Sequence, residues 1–204
     1  MSLEGKALSF GYRRKDRAVL DRVNLTLNPG ERLGLTAPSG RGKTTLCKLL
    51  AGYEKPKEGE VLLDGRPLAH GRGYCPVQMI WQHPETVVDP LMKLGDTLAE
   101  GWPVEQRVLD GLHIEPGWLE RYPTELSGGE LQRFCIARAL GPATRFLLCD
   151  EISTMLDLIT QAQIWNFLLE EAARRELGLL IVSHTPALLE RLCTRTQPLD
   201  PSPV

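Results

Sequence analysis

The run Arg32-Leu33-Gly34-Leu35-Thr36-Ala37-Pro38-Ser39-Gly40-Arg41-Gly42-Lys43-Thr44-Thr45-Leu46-Cys47-Lys48-Leu49-Leu50-Ala51 passes from a strand-like segment, through a glycine-rich loop, into a helix-like one. Gly52 follows as the residue that can end the helix. Gly42-Lys43-Thr44 matches a phosphate-binding loop pattern, with Ala37 where that pattern begins with glycine. Glycines here let backbone N–H groups turn toward an anion, and the helix presents its positive end to the same anion. Lys43 is placed to reach β- and γ-phosphates and Thr44 to hold Mg2+, with Pro38, Ser39, Gly40, Arg41 and Thr45 completing the candidate loop. The methyl group of Ala37 is harmless if φ there is negative and costly if it is positive. A plain strand-to-helix turn has the same outline, so the rest of the chain must decide.

On either side the elements alternate. Ala7-Leu8-Ser9-Phe10 and Val23-Asn24-Leu25-Thr26-Leu27 read as strands, with Asn28-Pro29-Gly30 as a turn, and Val61-Leu62-Leu63 and Met79-Ile80-Trp81 read as further strands. From Val87 to Glu125 apolar positions scatter among prolines and no strand is indicated. Residues 87–125 are therefore expected to form a small helical insertion between 1–86 and 126–196 of a single catalytic core. Glu130 to Leu140 has helical spacing, and Phe146-Leu147-Leu148-Cys149 suits a buried parallel strand. Leu158 to Arg175 returns to helix, its apolar side predicted along Leu158, Ala162, Trp165, Leu168, Leu169 and Ala172. Leu179-Leu180-Ile181-Val182 is a second buried strand, so the fold class expected is α/β around a largely parallel sheet. The tail from Gln197 is rich in proline and is expected to be loose.

The whole chain, 204 residues, has the length of one domain, and 42% hydrophobic with 25% charged residues is the composition of a globular protein. Its formal charge of −2 lacks the basic excess that nucleic-acid binding needs, so no nucleic-acid partner is expected. No run approaches the ~18 apolar residues of a spanning helix. The start, Met1 to Lys6, carries no apolar signal segment, which predicts a cytoplasmic location. Cys47, Cys75, Cys135, Cys149 and Cys193 are odd in number and never spaced Cys-x-x-Cys, and His70, His83, His113 and His184 lack ligand spacing. Neither a disulfide framework nor a zinc site is expected, and the cysteines read as small buried hydrophobes.

Two further segments carry chemistry. Phe146-Leu147-Leu148-Cys149-Asp150-Glu151 is a buried strand delivering one acid to a magnesium ion and, next to it, a second able to act as general base on water. Acids at a strand end also commonly just meet solvent. In Leu126-Ser127-Gly128-Gly129-Glu130-Leu131-Gln132-Arg133, Ser127 and the N–H groups of Gly128 and Gly129 form a second anion site at a helix start. The same residues read as a capped helix, Ser127 the N-cap and Glu130 its capping-box partner, and the two readings are compatible.

This last segment resembles the LSGGQ-type signature of ATP-binding cassette (ABC) proteins, with Glu130 in the place usually held by glutamine. The family's other elements occur in its order: Tyr12 at the aromatic that stacks on adenine, Gln82 at the Q-loop, Asp157 after Met155-Leu156 at the D-loop, and His184 at the switch histidine. Each alone reads as a surface aromatic, a loop amide, a helix N-cap and a strand-end histidine. Ile152 and Ser153 depart from the usual Pro-Thr or Pro-Ser. The resemblance, from Leu3 to about Cys193, implies a P-loop NTPase core with a mostly parallel sheet, an N-terminal antiparallel β region and a small helical subdomain. It implies ATP and Mg2+ as cofactors and ATP hydrolysis by Lys43, Gln82, Glu151 and His184. Tyr12, the loop from Pro38 to Thr45, Ser127, Gly128, Gly129 and Asp157 would contact nucleotide, and Thr44, Gln82 and Asp150 the metal.

Val77-Gln78-Met79-Ile80-Trp81-Gln82-His83-Pro84 and Arg121-Tyr122-Pro123-Thr124-Glu125-Leu126-Ser127 are similar to segments of the peptide and nickel importer ATPases. That likeness implies transmembrane permease subunits and a second cassette, identical or companion, as direct partners, a solute-binding protein as an indirect one, and a peripheral place on the inner face of the cell membrane. A soluble ABC ATPase acting on nucleic acid or the ribosome is the alternative; such proteins usually carry two cassettes or a long coiled coil, and this sequence has neither. The chain is expected to lack the C-terminal strands and extension usual in these ATPases.

Overall fold

The computed structural model describes residues 2–12, 18–68, 73–154 and 156–199. His70, Met155 and the end of the tail, 200–204, lie outside the described residues. Two sheets are built. The first is antiparallel, in the order β2-β1-β4-β5, from β1 (Leu3–Phe10), β2 (Leu20–Leu27), β4 (Glu58–Leu63) and β5 (Arg66–Pro67). The second is parallel, in the order β6-β7-β8-β3-β9, from β3 (Arg32–Thr36), β6 (Val77–Ile80), β7 (Phe146–Asp150), β8 (Gly178–Val182) and β9 (Arg195–Pro198).

Strand periodicity explains how the parallel sheet separates two cores. On β7 and β8, Phe146, Leu148, Leu180 and Val182 pack with Leu33 and Leu35 of β3, with α1 (Lys43–Leu50) and with the antiparallel sheet. The alternate residues Leu147, Cys149, Leu179 and Ile181 face α4 (Gly128–Ala139) and α5 (Leu158–Arg175). With both faces covered, these strands are continuously apolar, as their burial shows.

Between β6 and α4 lie α2 (Leu94–Ala99), α3 (Gln106–Gly111) and three short 3-10 turns, with no strand. Leu94, Leu98, Val108, Leu112 and Trp118 bury against Phe134 of α4 and Phe167 of α5. Gly111 permits this approach: a Cβ there would stand 2.1 Å from the Phe167 ring. The Glu171 side chain of α5, fully buried, accepts hydrogen bonds from Arg107 of α3 and from Arg174.

Three expectations need correction. The buried side of α5 runs through Ile164, Trp165, Phe167, Leu168, Glu171 and Ala172, whereas Leu158 and Ala162 are exposed. In the first turn of α5 Leu158 and Ile159 are exposed, so the stripe begins later than apolar spacing suggested. The tail is not loose at its start: Gln197 and Pro198 belong to β9, hydrogen-bonded beside β3, and Leu199 is buried. The chain also does not end its structure soon after His184, because α6 (Pro186–Leu192) and β9 complete the parallel sheet's edge.

Candidate functional site

The C-terminal ends of β3, β7 and β8 lie side by side, the general location of a ligand crevice in a parallel sheet. Three residues follow these strands: Lys43 opens α1 after the loop from β3, Glu151 comes directly after β7 and His184 two residues after β8. An open cavity of about 610 Å³ is lined by Tyr12, Ser39, Gly40, Gly42, Lys43, Thr44, Thr45, Gln82, Glu151 and His184. Sequence reasoning named all of these.

It missed Val19, which lines the same cavity. Val19 touches the space beside Gly42, where a Cβ would come within 3.0 Å of its side chain and 2.9 Å of Leu20. Gly42 also holds φ 85°, so both space and backbone exclude a larger residue. Nothing in motif spacing carries Val19; its only sequence signal is an apolar side chain at the entry to β2.

The loop is built to receive an anion. Gly42 is the N-cap of α1 and leaves the first N–H groups of that helix without a side-chain cap. Lys43, buried, donates from Nζ to the carbonyls of Ala37 at 2.9 Å and Pro38 at 3.2 Å, lying across the loop. Ala37 is not among the described positive-φ residues, so its methyl group brings no backbone strain. Tyr12 is exposed, edge-on to Phe10, with its hydroxyl 3.0 Å from that of Thr45.

Asp150 ends β7 and is 2% exposed, with Oδ1 buried and lacking a hydrogen-bond partner. Burial pushes its carboxyl up from the ordinary value of 3.8, the Thr44 hydroxyl hydrogen-bonds to it and lowers it, and the neighbouring Glu151 charge raises it again. A buried, underpartnered oxygen beside a threonine hydroxyl is the oxygen-donor chemistry that suits Mg2+. Thr44 and Asp150 therefore fit the metal expected here, and Gln82 lines the same cavity.

Glu151 stands next to it at φ 53°, in the left-handed region, its side chain mostly buried. His184 Nε2 meets Glu151 Oε1 at 2.6 Å, so the two groups point into the cavity as a pair. The loop behind Glu151 is pinned by Ser153, whose hydroxyl accepts from Gln161 Nε2 and Trp165 Nε1 of α5.

The remaining predicted residues are elsewhere. Pro38 lines an adjoining cavity with Ala37 and His184, and Arg41 is exposed and lines neither. Ser127, Gly128, Gly129 and Asp157 also lie outside the cavity lining. Ser127 caps α4 and Asp157 caps α5, accepting from Ile159 N and Thr160 N at 3.0 Å each. These two caps are neighbours: a Cβ on Gly129 would stand 3.1 Å from Leu156. Beside them the first turn of α5 exposes Leu158 at 82% and Ile159 at 73%.

The ABC transporter family profile matches residues 20–154. The nickel import ATP-binding protein NikE of Rhodospirillum rubrum is 35% identical over 96% of this chain and 77% of its own length. NikE of Escherichia coli is 33% identical over 94% of this chain and 78% of its own. A solved ATP-binding subunit of an ABC transporter superposes with TM-score 0.84 at 25% identity, over 98% of this chain and 86% of that one.

Proposed function

Because this chain belongs to the ABC transporter family, we propose that its cavity is the ATP site that powers a nickel importer. The protein is an ATP-hydrolysing subunit of an importer. The observation that carries the site assignment is the convergence, at three parallel strand ends, of Lys43, the buried Asp150 with its unpartnered Oδ1, and the Glu151–His184 pair. Nickel as the solute is supported by the NikE relatives.

In this reading Lys43 exchanges the carbonyls of Ala37 and Pro38 for phosphate oxygens, and the open N–H groups of α1 meet the same anion. Thr44, Asp150 and Gln82 would hold Mg2+, which when bound neutralises charge on the phosphates. Glu151 accepts the proton of the attacking water, while His184, donating to Glu151, fixes the carboxylate's direction. Tyr12 turns from Thr45 to stack on the base.

Ser127, Gly128, Gly129 and Asp157 act on the nucleotide of a second cassette, because they lie outside their own chain's cavity yet share one face. The exposed Leu158 and Ile159 belong to that face. A separate cleft of about 280 Å³ beside the insertion, with Tyr53, Trp81, Val87, Cys135 and Arg138 on its walls, is the docking place for a permease loop. Among the described residues no helix is long and apolar enough to cross a membrane. The permease therefore supplies the attachment to the membrane's inner face.

The test is Lys43→Ala. Phosphate release from ATP by the purified chain, and nickel accumulation by cells carrying it, should both be lost. Hydrolysis at the wild-type rate overturns the site; loss of hydrolysis with nickel uptake intact overturns the solute.

A further inference from the structure

The two helix starts that the sequence marks as anion sites are in opposite states. At α1, Gly42 offers no side-chain cap and the N–H groups are open. At α4, the chain supplies its own anion. Glu130 Oε2 accepts from Ser127 N at 2.7 Å and from the Ser127 hydroxyl at 2.8 Å, while Glu130 N donates to Ser127 Oγ at 3.3 Å. These bonds, the backbone one foremost, hold the Glu130 carboxyl below its ordinary 4.5, so it is ionised at neutral pH. Both donors of Ser127 thus already serve a carboxylate.

We propose that Glu130 guards the signature of this chain, so that the composite site completed by Ser127 closes on a nucleotide phosphate more weakly than the loop of α1 binds one. The proposal rests on the composite-site reading given above. Its physics follows from shared donors. The Ser127 hydroxyl has one hydrogen, so a phosphate oxygen takes it only by displacing Glu130 Oε2, and the carboxylate, still bonded to Ser127 N, stays within about 6 Å of that oxygen. At that range an ionised carboxylate and a phosphate repel appreciably at any effective dielectric a protein surface offers. Charge-assisted bonds are also about twice as strong as neutral ones, so a phosphate must displace a well-held group.

Glutamine at 130 keeps an oxygen able to accept from Ser127 and so preserves the cap, but it removes the charge. The consequence is an asymmetric pair whenever this chain faces a cassette lacking the carboxylate. The nucleotide held by this chain's own loop and the partner's signature would close first.

The experiment places Glu130→Gln in the full chain on a Glu151→Gln background, where ATP is retained, and follows dimer formation with Mg-ATP by light scattering after sizing. The ATP concentration for half-maximal dimer should fall about three- to a hundredfold, the range that removing one charge at about 6 Å allows between bulk-water and protein-surface dielectrics. Glu120→Gln, an exposed acid paired with Lys93, is the control for net charge and should leave that concentration unchanged. Adding Ser127→Ala to Glu130→Gln should abolish the gain. A threshold unmoved by Glu130→Gln in a chain that does dimerise overturns the guard alone. So does a gain that survives Ser127→Ala or appears equally with Glu120→Gln. Absence of an ATP-dependent dimer in every variant overturns the composite-site reading together with it.

Discussion

Glu171 offers the sharpest stability test, because a fully buried carboxylate joins the insertion to α5. Its oxygens accept from Arg107 Nε at 2.7 Å, Arg174 Nε at 3.2 Å and Arg174 Nη2 at 2.8 Å. Replacing it by glutamine keeps the volume but turns a buried amide N–H2 toward groups that can only donate. Hydrogen bonds to a charged partner are each worth about 1.5–3 kcal/mol. The Arg107 and Arg174 side chains are 52% and 43% exposed and regain water when released, so the loss falls at the low end. We expect Glu171→Gln to cost about 2–3 kcal/mol, or roughly 5–10 °C in melting temperature for a chain of this size. Glu171→Met, which fills the space and leaves no unpaired buried dipole, should cost less than glutamine.

Acid gives an independent check on the same residue. Burial raises the Glu171 carboxyl and the hydrogen bonds of Arg174 and Arg107 more than offset it, leaving it below the ordinary 4.5. A depressed folded value means the contribution is complete above about pH 4.5 and disappears as pH falls through the folded value. The gap between wild type and Glu171→Gln, read by calorimetry, should therefore close on acidification. A glutamine variant melting within about 1 °C of wild type at pH 7, or a gap that widens in acid, refutes the ion-pair reasoning.

Two other outcomes follow from the site and the cleft. Glu151→Gln should retain ATP binding, because Asp150 and Lys43 are untouched, and should lose turnover by at least about a hundredfold; a folded variant unable to bind ATP gives Glu151 a different role. Cys135 lines the cleft beside the insertion but is buried, so the probe belongs on the half-buried Val87 of the same wall: a cysteine placed there should cross-link to a permease cytoplasmic loop. Links formed only from the Tyr12 side would move the docking surface away from that cleft.

How far the sequence reaches can be read from individual elements. The α5 bounds came out as Leu158–Arg175 because a local cause sets them: Asp157 caps the helix with two backbone bonds, and Glu176 leaves it in the left-handed region. The buried face of α5 was harder to place, since the apolar residues of the first turn, Leu158 and Ile159, are exposed and shift the phase of the stripe. β9 was invisible for another reason. Arg195-Thr196-Gln197-Pro198 has no apolar alternation, and its strand state is imposed by backbone pairing with β3 on one side only. Glu151 and His184 are far apart in sequence, but they follow β7 and β8, which pair at Asp150 and Val182, so parallel register brings them together. Spacing alone cannot report that register. The signature residues mark the deepest limit of a one-chain reading. Ser127 and Asp157 were assigned to nucleotide, yet within the chain they only cap α4 and α5 beside an exposed apolar turn. Polar caps bordered by Leu158 and Ile159 make poor sense as a solvent surface and good sense as a face that another cassette covers. On the composite-site reading proposed above, the chemistry of these residues belongs to an assembly, and one chain would hold only half of each site.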